Sequence, residues 1–191
     1  MNSKCNLAIF DLDGTLFDTK AVNFHAYREA LEQEGIRCEV DYPFYCAYCN
    51  GRYYRDFLPV IAPGISEDSM SRVHKRKAGL YPKYLHHARK NEHLFRMIEL
   101  MRPGYQVALV TTASRVNVED ILREFDVADR FDFVITQEDV TAKKPDPECF
   151  LKAMERAGTD AAHTVIFEDS PTGLEAAERS GASVLKVLGY C

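Results

Sequence analysis

The sequence predicts an α/β protein in which a doubly wound parallel sheet forms the core and an α-helical cap domain is inserted into it. Short apolar runs recur along the chain, helical patterns separate most of them, and one long interval breaks this alternation. The 191 residues, of which 46% are hydrophobic, suffice for one good core and a small second module.

The apolar runs are continuous and short, as expected for strands that are covered on both faces. They lie at 7–10, 107–110, 131–135, 164–167 and 183–187. Helical patterns follow several of them: one helix is expected after Ser114, and another over 171–180, which begins with Pro171 and ends at Gly181. Alternating strands and helices imply right-handed crossovers and therefore a Rossmann-like sheet.

Residues 17–88 contain helical patterns and turns but no convincing strand, so we expect them to form the helical cap. Its first helix is predicted over 21–34 and a second long helix over 67–84. The catalytic α/β core would then comprise residues 1–16 and 89–191.

The bulk properties exclude some classes of function. A net charge of −5 and a pI near 5.7 argue against nucleic acid or an anionic membrane surface as partner. The chain has no long apolar span and no secretory signal pattern, so we expect a cytoplasmic protein, either a monomer or a weak homodimer. The pair Cys46 and Cys49 is compatible with redox chemistry or half of a zinc site, but the aromatic residues around it favour packing.

Two carboxylates, Asp11 and Asp13, stand directly after the first apolar run and are followed by Gly14. Strand ends are where open α/β sheets bind ligands. The same pattern also fits an ordinary turn or the start of a calcium loop, but the position where that loop requires Glu is Lys20.

A second pair, Glu168 and Asp169, ends the run at 164–167. If both pairs lie side by side in one sheet, their charges repel unless a divalent cation or protonation offsets them. Oxygen ligands suit Mg²⁺, while Mn²⁺ and Co²⁺ remain open alternatives.

Two further features supply what a phosphoryl group needs. Thr111 and Thr112 follow the run at 107–110 and offer hydroxyl groups and backbone N–H donors. Lys144 offers a cation in a loop that the prolines at 145 and 147 stiffen. Each feature alone is weak, but four features at strand ends, in this order, are hard to obtain by chance.

The ordered set of Asp11-Leu-Asp13-Gly-Thr15, Thr111, Lys144-Pro145 and Glu168-Asp169-Ser170 resembles the four motifs of the haloacid dehalogenase-like hydrolase superfamily. The resemblance covers nearly the whole chain. The inserted segment is similar to the cap of the branch that contains phosphoglycolate phosphatases, sugar-phosphate phosphatases and β-phosphoglucomutase.

The resemblance implies a mechanism. Asp11 would be the nucleophile that forms an aspartyl phosphate, and Asp13 the general acid and base. Mg²⁺ would be held by the Asp11 carboxylate, the Asp13 backbone carbonyl and Asp169. The other motif residues are implied in two further roles: phosphate binding for Thr111, Thr112 and Lys144, and support of the site for Thr15, Glu168 and Ser170.

The function that follows is a phosphatase of small phosphorylated metabolites, with Arg52 and Arg55 of the cap as candidates for contacting an anionic leaving group. Dehalogenases of the superfamily lack the second Asp, so Asp13 disfavours dehalogenation. A sugar phosphomutase is one alternative, although mutases of the β-phosphoglucomutase type carry a cap histidine where this chain has Asn23. A non-catalytic, phosphate-binding regulatory protein is the other alternative.

Overall fold

The computed structural model describes residues 6–50 and 52–189. The chain forms two compact units, Met1–Asp18 with Lys90–Cys191, and Thr19–Arg89. These limits lie one or two residues from those predicted for the core and the cap. That the first unit is catalytic and the second is a cap remains a prediction. No helix among the described residues combines the length and apolar character needed to cross a bilayer.

Strands of the first unit form a five-stranded sheet in which every pair is parallel. The strands of the described residues are β1 (Asn6–Phe10), β2 (Phe17–Asp18), β3 (Arg89–Lys90), β4 (Tyr105–Val110), β5 (Phe133–Ile135), β6 (Thr164–Glu168) and β7 (Ser183–Lys186). The order in the large sheet is β5, β4, β1, β6, β7, while β2 and β3 form a separate two-stranded sheet. The predicted fold class is confirmed.

Helices fill the connections between the strands and most of the second unit. They are α1 (Lys20–Gln33), α2 (Tyr42–Tyr48), α3 (Tyr54–Ile61), α4 (Glu67–Leu80), α5 (Glu92–Met101), α6 (Arg115–Glu124), α7 (Glu148–Ala157) and α8 (Pro171–Arg179). From β1 the chain steps outward through β4 to β5, and later from β6 to β7 in the other direction. Right-handed crossovers therefore place α5 and α6 on one face of the sheet and α7 and α8 on the other.

The central strand β1 is buried on both faces, which explains its unbroken apolar sequence. On one face Leu7 and Ile9 belong to a core cluster with Phe150 of α7 and residues of α8. On the other face Phe10 stacks on Phe167 of β6, with ring centroids 4.3 Å apart. The sheet is thus held firmly at the strand whose end carries Asp11.

Several elements differ from the sequence prediction. The short strand β2 (Phe17–Asp18) lies within residues 17–88, where no convincing strand was expected, and β4 begins at Tyr105 rather than at 107. β5 begins at Phe133 rather than at 131, because Asp132 exchanges hydrogen bonds with Val107: its Oδ2 accepts from the Val107 N–H at 2.7 Å and its own N–H donates to the Val107 carbonyl at 2.8 Å. The long helix predicted over 67–84 ends at Leu80 and continues as a 3₁₀ helix over Tyr81–His87. Pro82 has no N–H for the next α-helical hydrogen bond, which accounts for the change.

The second unit has a hydrophobic core of its own, in which Phe24, Leu31, Tyr45 and Phe57 are buried. Cys49 is buried in the same cluster, as expected for a packing residue, while Cys46 is partly exposed. The described cysteines are free thiols. Cys46 and Cys49 are therefore not joined by a disulfide.

Candidate active site

The candidate site lies at the carboxyl ends of the three central strands. Asp11 follows β1, Thr111 follows β4, and Glu168 and Asp169 stand at the end of β6. Because β4, β1 and β6 are neighbours and parallel, these ends meet at one edge of the sheet. The Asp11 N–H donates to the Phe167 carbonyl at 3.0 Å, which fixes the backbone of Asp11 beside β6.

Lys144 joins the strand ends although it comes from a loop. Its Nζ lies 2.7 Å from Asp11 Oδ1, 2.7 Å from Glu168 Oε1 and 3.5 Å from the Val110 carbonyl oxygen. The Lys144 side chain is only 4% exposed. Burial lowers the pKa of Lys144, but the charges of Asp11 and Glu168 outweigh it and raise the pKa above its usual value, so the lysine is charged.

The carboxylates form a cluster with more negative charge than Lys144 can neutralise. Asp11, Glu168 and Asp169 each offer an oxygen, and these oxygens lie within 4.8 Å of one another. Burial raises the pKa of Asp11, and the Glu168 charge raises it further, whereas Lys144 lowers it. Three carboxylates facing one lysine form a site that a divalent cation would stabilise.

Asp169 adjoins the turn that follows Asp11. The Thr15 hydroxyl donates to Asp169 Oδ1 at 2.9 Å. The pKa of Asp169 is raised to about 6, chiefly by burial. The Thr15 hydrogen bond opposes this rise, and the charges of Glu168 and Asp13 add to it. Asp13 itself is partly exposed. Hard oxygen donors of this kind suit Mg²⁺, so the residues present fit the implied metal.

Glu168 has both carboxylate oxygens engaged. Oε1 accepts from Lys144, and Oε2 accepts from the Ser170 N–H at 2.8 Å and the Ser170 hydroxyl at 3.1 Å. The Ser170 hydroxyl also accepts from the Gly173 N–H at 3.0 Å and so caps α8. Glu168 thus holds Lys144 in place and has less freedom than Asp11 or Asp169 to bind a cation.

Two glycines make room for the acidic side chains, a role that was not predicted from the sequence for either of them. Gly14 has φ +94°, and a Cβ on it would lie 2.2 Å from Asp169 Oδ2. A Cβ on Gly173 would lie 1.8 Å from Glu168 Oε1. The sequence feature that could have indicated these roles is the spacing to a motif carboxylate: Gly14 directly follows Asp13, and Gly173 lies five residues after Glu168.

The predicted phosphate-binding threonines follow β4 at the same edge, and the hydrogen bonds given by the Thr111 backbone and accepted by its hydroxyl involve backbone groups. Thr111 is buried, its N–H donates to the Ile135 carbonyl at 3.0 Å, and its Oγ1 accepts from the Ala113 N–H at 3.1 Å. The hydroxyl proton of Thr111 is then left to donate to a ligand. Thr112 is exposed. Their phosphate-binding role stays a prediction.

The two predicted cap residues belong to the second unit. Arg55 is engaged there: its Nε lies 2.9 Å from Glu67 Oε2, its Nη1 donates to the Tyr53 hydroxyl at 2.7 Å, and its guanidinium lies 5.1 Å from the Tyr54 ring centroid. Arg52 is exposed. Contact of either arginine with a substrate stays a prediction.

Comparison with known proteins agrees with the motifs. The family model described as haloacid dehalogenase-like hydrolase matches residues 8–187. The chain belongs to the haloacid dehalogenase-like hydrolases. The family predicted from the four motifs is confirmed.

Among the relatives of this hydrolase is a phosphorylated carbohydrates phosphatase of Thermotoga maritima, 30% identical over 179 residues that cover 91% of this chain and 80% of the relative. The pyrophosphatase PpaX of Bacillus velezensis is 30% identical over 190 residues, covering 94% and 81%. The predicted enzyme class, a phosphatase of this family, is confirmed.

Solved structures share the fold. The crystal structure of CbbY from Rhodobacter sphaeroides in complex with phosphate superposes with a TM-score of 0.86 at 23% identity. The match covers 97% of this hydrolase and 87% of the CbbY chain.

Proposed function

We propose that this hydrolase is a Mg²⁺-dependent phosphomonoesterase that acts on a small phosphorylated metabolite through an aspartyl phosphate at Asp11. The proposal depends chiefly on one observation, the buried Asp11 carboxylate that shares Lys144 with Glu168 at the strand ends. A nucleophile for phosphorus and a cation for the phosphoryl oxygens are thereby held 2.7 Å apart.

Asp11, Asp169 and the backbone carbonyl of Asp13 are the groups proposed to hold Mg²⁺. The excess of carboxylates over lysine in the cluster supports this assignment. When bound, the cation neutralises charge that develops on the oxygens of the transferring phosphoryl group.

In the first step an oxygen of the Asp11 carboxylate attacks phosphorus in line with the ester oxygen. The new bond joins Asp11 to phosphorus, and the bond from phosphorus to the ester oxygen breaks. Asp13, protonated at this stage, gives its proton to the leaving alkoxide. Lys144 and the hydroxyl of Thr111 hold the phosphoryl oxygens.

The second step releases inorganic phosphate. Asp13, now a carboxylate, takes a proton from a water molecule whose oxygen bonds to phosphorus. The bond between phosphorus and the Asp11 oxygen breaks, and both carboxyl groups return to their starting states. The partial exposure of Asp13 supports this role, because water must reach it.

The substrate class follows from relatives rather than from the site. The Thermotoga maritima relative is named for phosphorylated carbohydrates, which supports a sugar phosphate as the first class to test. A phosphomutase is less well supported, because position 23 carries Asn, whose amide donates to the Thr19 hydroxyl at 3.3 Å.

The test is phosphate release from a panel that includes p-nitrophenyl phosphate, sugar phosphates and pyrophosphate, with and without Mg²⁺. We expect release to require the metal and to fall about a thousandfold or more in Asp11→Asn. Asp129→Asn, at a side chain that is 78% exposed, is the matched control and should retain activity. If the folded wild-type protein releases phosphate from none of these compounds, the proposed function is contradicted.

A further inference from the structure

Lys144 must reach two carboxylates from a loop that has no regular secondary structure. The segment between β5 and α7 runs through a 3₁₀ turn at Gln137–Asp139 and then through turns and bends up to Pro147. Such a segment needs contacts of its own to hold a charged side chain at hydrogen-bonding distance.

Glu148, the first residue of α7, supplies contacts on the N-terminal side of Lys144. Its carboxylate accepts from the Thr141 N–H at 3.0 and 3.1 Å and from the Ala142 N–H at 2.5 Å. Lys152, one turn further along α7, lies 2.7 Å from Glu148 Oε1. The hydrogen bonds from Lys152, Ala142 and Thr141 lower the pKa of Glu148 to about 2, so the carboxylate is ionised.

Contacts on the C-terminal side complete the attachment. The Pro145 carbonyl accepts from Arg179 Nη1 of α8 at 2.9 Å. Asp146 Oδ1 accepts from the Glu148 N–H at 2.9 Å, and the Asp146 N–H donates to the Lys143 carbonyl at 2.9 Å. The backbone is therefore tied to a helix both before and after Lys144.

The same contacts extend to the loop that carries Thr111. Lys152 Nζ also donates to the Asp139 carbonyl at 2.9 Å. The Asp139 carboxylate accepts from Arg115 Nη2 at 2.7 and 2.6 Å, and Arg115 is the first residue of α6. The Gln137 N–H donates to the Ala113 carbonyl at 3.2 Å, two residues after Thr111.

We propose that Glu148 is a positioning residue: its carboxylate sets the loop that presents Lys144 to Asp11, and Arg179 assists from the other side. The inference rests on the proposed function, in which Lys144 holds phosphoryl oxygens. The participating side chains are partly exposed, 21% for Glu148, 43% for Lys152 and 51% for Arg179. Ion pairs at such places add little to stability, so the main effect of Glu148 is on position.

The test compares Glu148→Gln with Glu155→Gln, which removes the same charge from an exposed place on the same helix. We measure kcat and KM for p-nitrophenyl phosphate at saturating Mg²⁺ and the inhibition constant of inorganic phosphate. Glu148→Gln should lower kcat/KM by about 10- to 100-fold, because a displacement of about 1 Å has effects of that size. It should also weaken inhibition by phosphate, whereas Glu155→Gln should match the wild type.

Two further measurements separate positioning from general stabilisation. Amide hydrogen exchange at residues 141 and 142 should accelerate in Glu148→Gln, while its melting temperature stays near that of the wild type. Glu148→Asp, which keeps the charge, should recover part of the lost kcat/KM. A loss of activity that only parallels a loss of folded protein would overturn the positioning role.

The outcomes also separate this inference from the proposed function. If the wild type is active and Glu148→Gln equals Glu155→Gln in kcat/KM, the positioning role is wrong. If the wild type releases no phosphate from any ester, the proposed function is wrong, and amide hydrogen exchange alone then tests whether Glu148 positions the loop. In that case, unchanged amide exchange at 141 and 142 in Glu148→Gln would show that Glu148 does not hold the loop. Faster exchange would support the role of Glu148 in holding it.

Discussion

Glu168 divides its carboxylate between Lys144 and Ser170, and this arrangement depends on the missing side chain of Gly173. The Glu168 side chain is only 1% exposed, so a displaced carboxylate would have few other polar partners. A displaced carboxylate would also release Lys144. The position of Lys144 therefore also depends on the absence of a side chain at Gly173.

Gly173→Ala tests this dependence. Alanine normally stabilises a helix relative to glycine, by about 0.5–1 kcal/mol. Here the new Cβ would lie 1.8 Å from Glu168 Oε1, so we expect stability to fall by about 1–3 kcal/mol and phosphatase activity to fall with it. Urea unfolding and phosphate release measure the two effects.

Gly79→Ala is the control, because Gly79 also lies in a helix and a Cβ there would meet nothing within 4 Å. This variant should gain stability by about 0.5–1 kcal/mol and keep full activity. Equal effects of the two substitutions would contradict the role given to Gly173.

At the scale of elements, local pattern predicted most of the sheet and much of the helical content. β1 and β6 follow from unbroken apolar runs, and α6 follows from Ser114, which accepts from the Asn117 N–H as an N-cap, and from the buried residues Val118 and Ile121. The start of β5 could not be read in this way, because it depends on the hydrogen bonds of Asp132 with another strand.

The site was predictable as a set of residues but not as a set of contacts. Lys144 bonds to Asp11 and Glu168, which lie 133 and 24 positions away, and Thr15 bonds to Asp169, 154 positions away. The order of the motifs predicted that these residues lie at one edge of the sheet. Only the folded structure shows that the Glu168 carboxylate oxygens accept hydrogen bonds from Lys144 and Ser170. The role inferred for Glu148 had no motif to indicate it.

The contact between α7 and the preceding loop predicts a dependence of stability on pH. The pKa of Glu148 falls from its ordinary value of 4.5 to about 2 in the folded protein. A lowered pKa stabilises the fold above the ordinary value, and this contribution is lost as the pH falls through the folded value. Because solvent screens these partly exposed groups, we expect wild type to exceed Glu148→Gln only slightly in stability near neutral pH. The small difference should shrink as the pH falls from 4.5 towards 2. Urea unfolding across this range measures it, and a difference that is independent of pH would contradict it.

For the whole molecule, the acidic cluster of the site bears on global stability. The chain carries a net charge of −5, and three carboxylates of the site lie together around one lysine. Their repulsion lowers the stability of the metal-free fold, since the unfolded chain separates them. A bound divalent cation would reverse this effect, so metal binding and global stability should be linked.

Asp169→Asn tests the link by a readout that does not require turnover. Mg²⁺ at about 100 times its dissociation constant should stabilise the wild type by about 2.7 kcal/mol, which raises the melting temperature by several degrees. In Asp169→Asn the rise should be largely lost, because a neutral amide binds the cation weakly. The metal-free variant should nevertheless be at least as stable as the metal-free wild type, since one of the repelling charges is gone while Thr15 keeps an oxygen acceptor.

Asp129→Asn, changed at an exposed side chain, should respond to Mg²⁺ as the wild type does. An equal response of Asp169→Asn would show that the cation binds elsewhere.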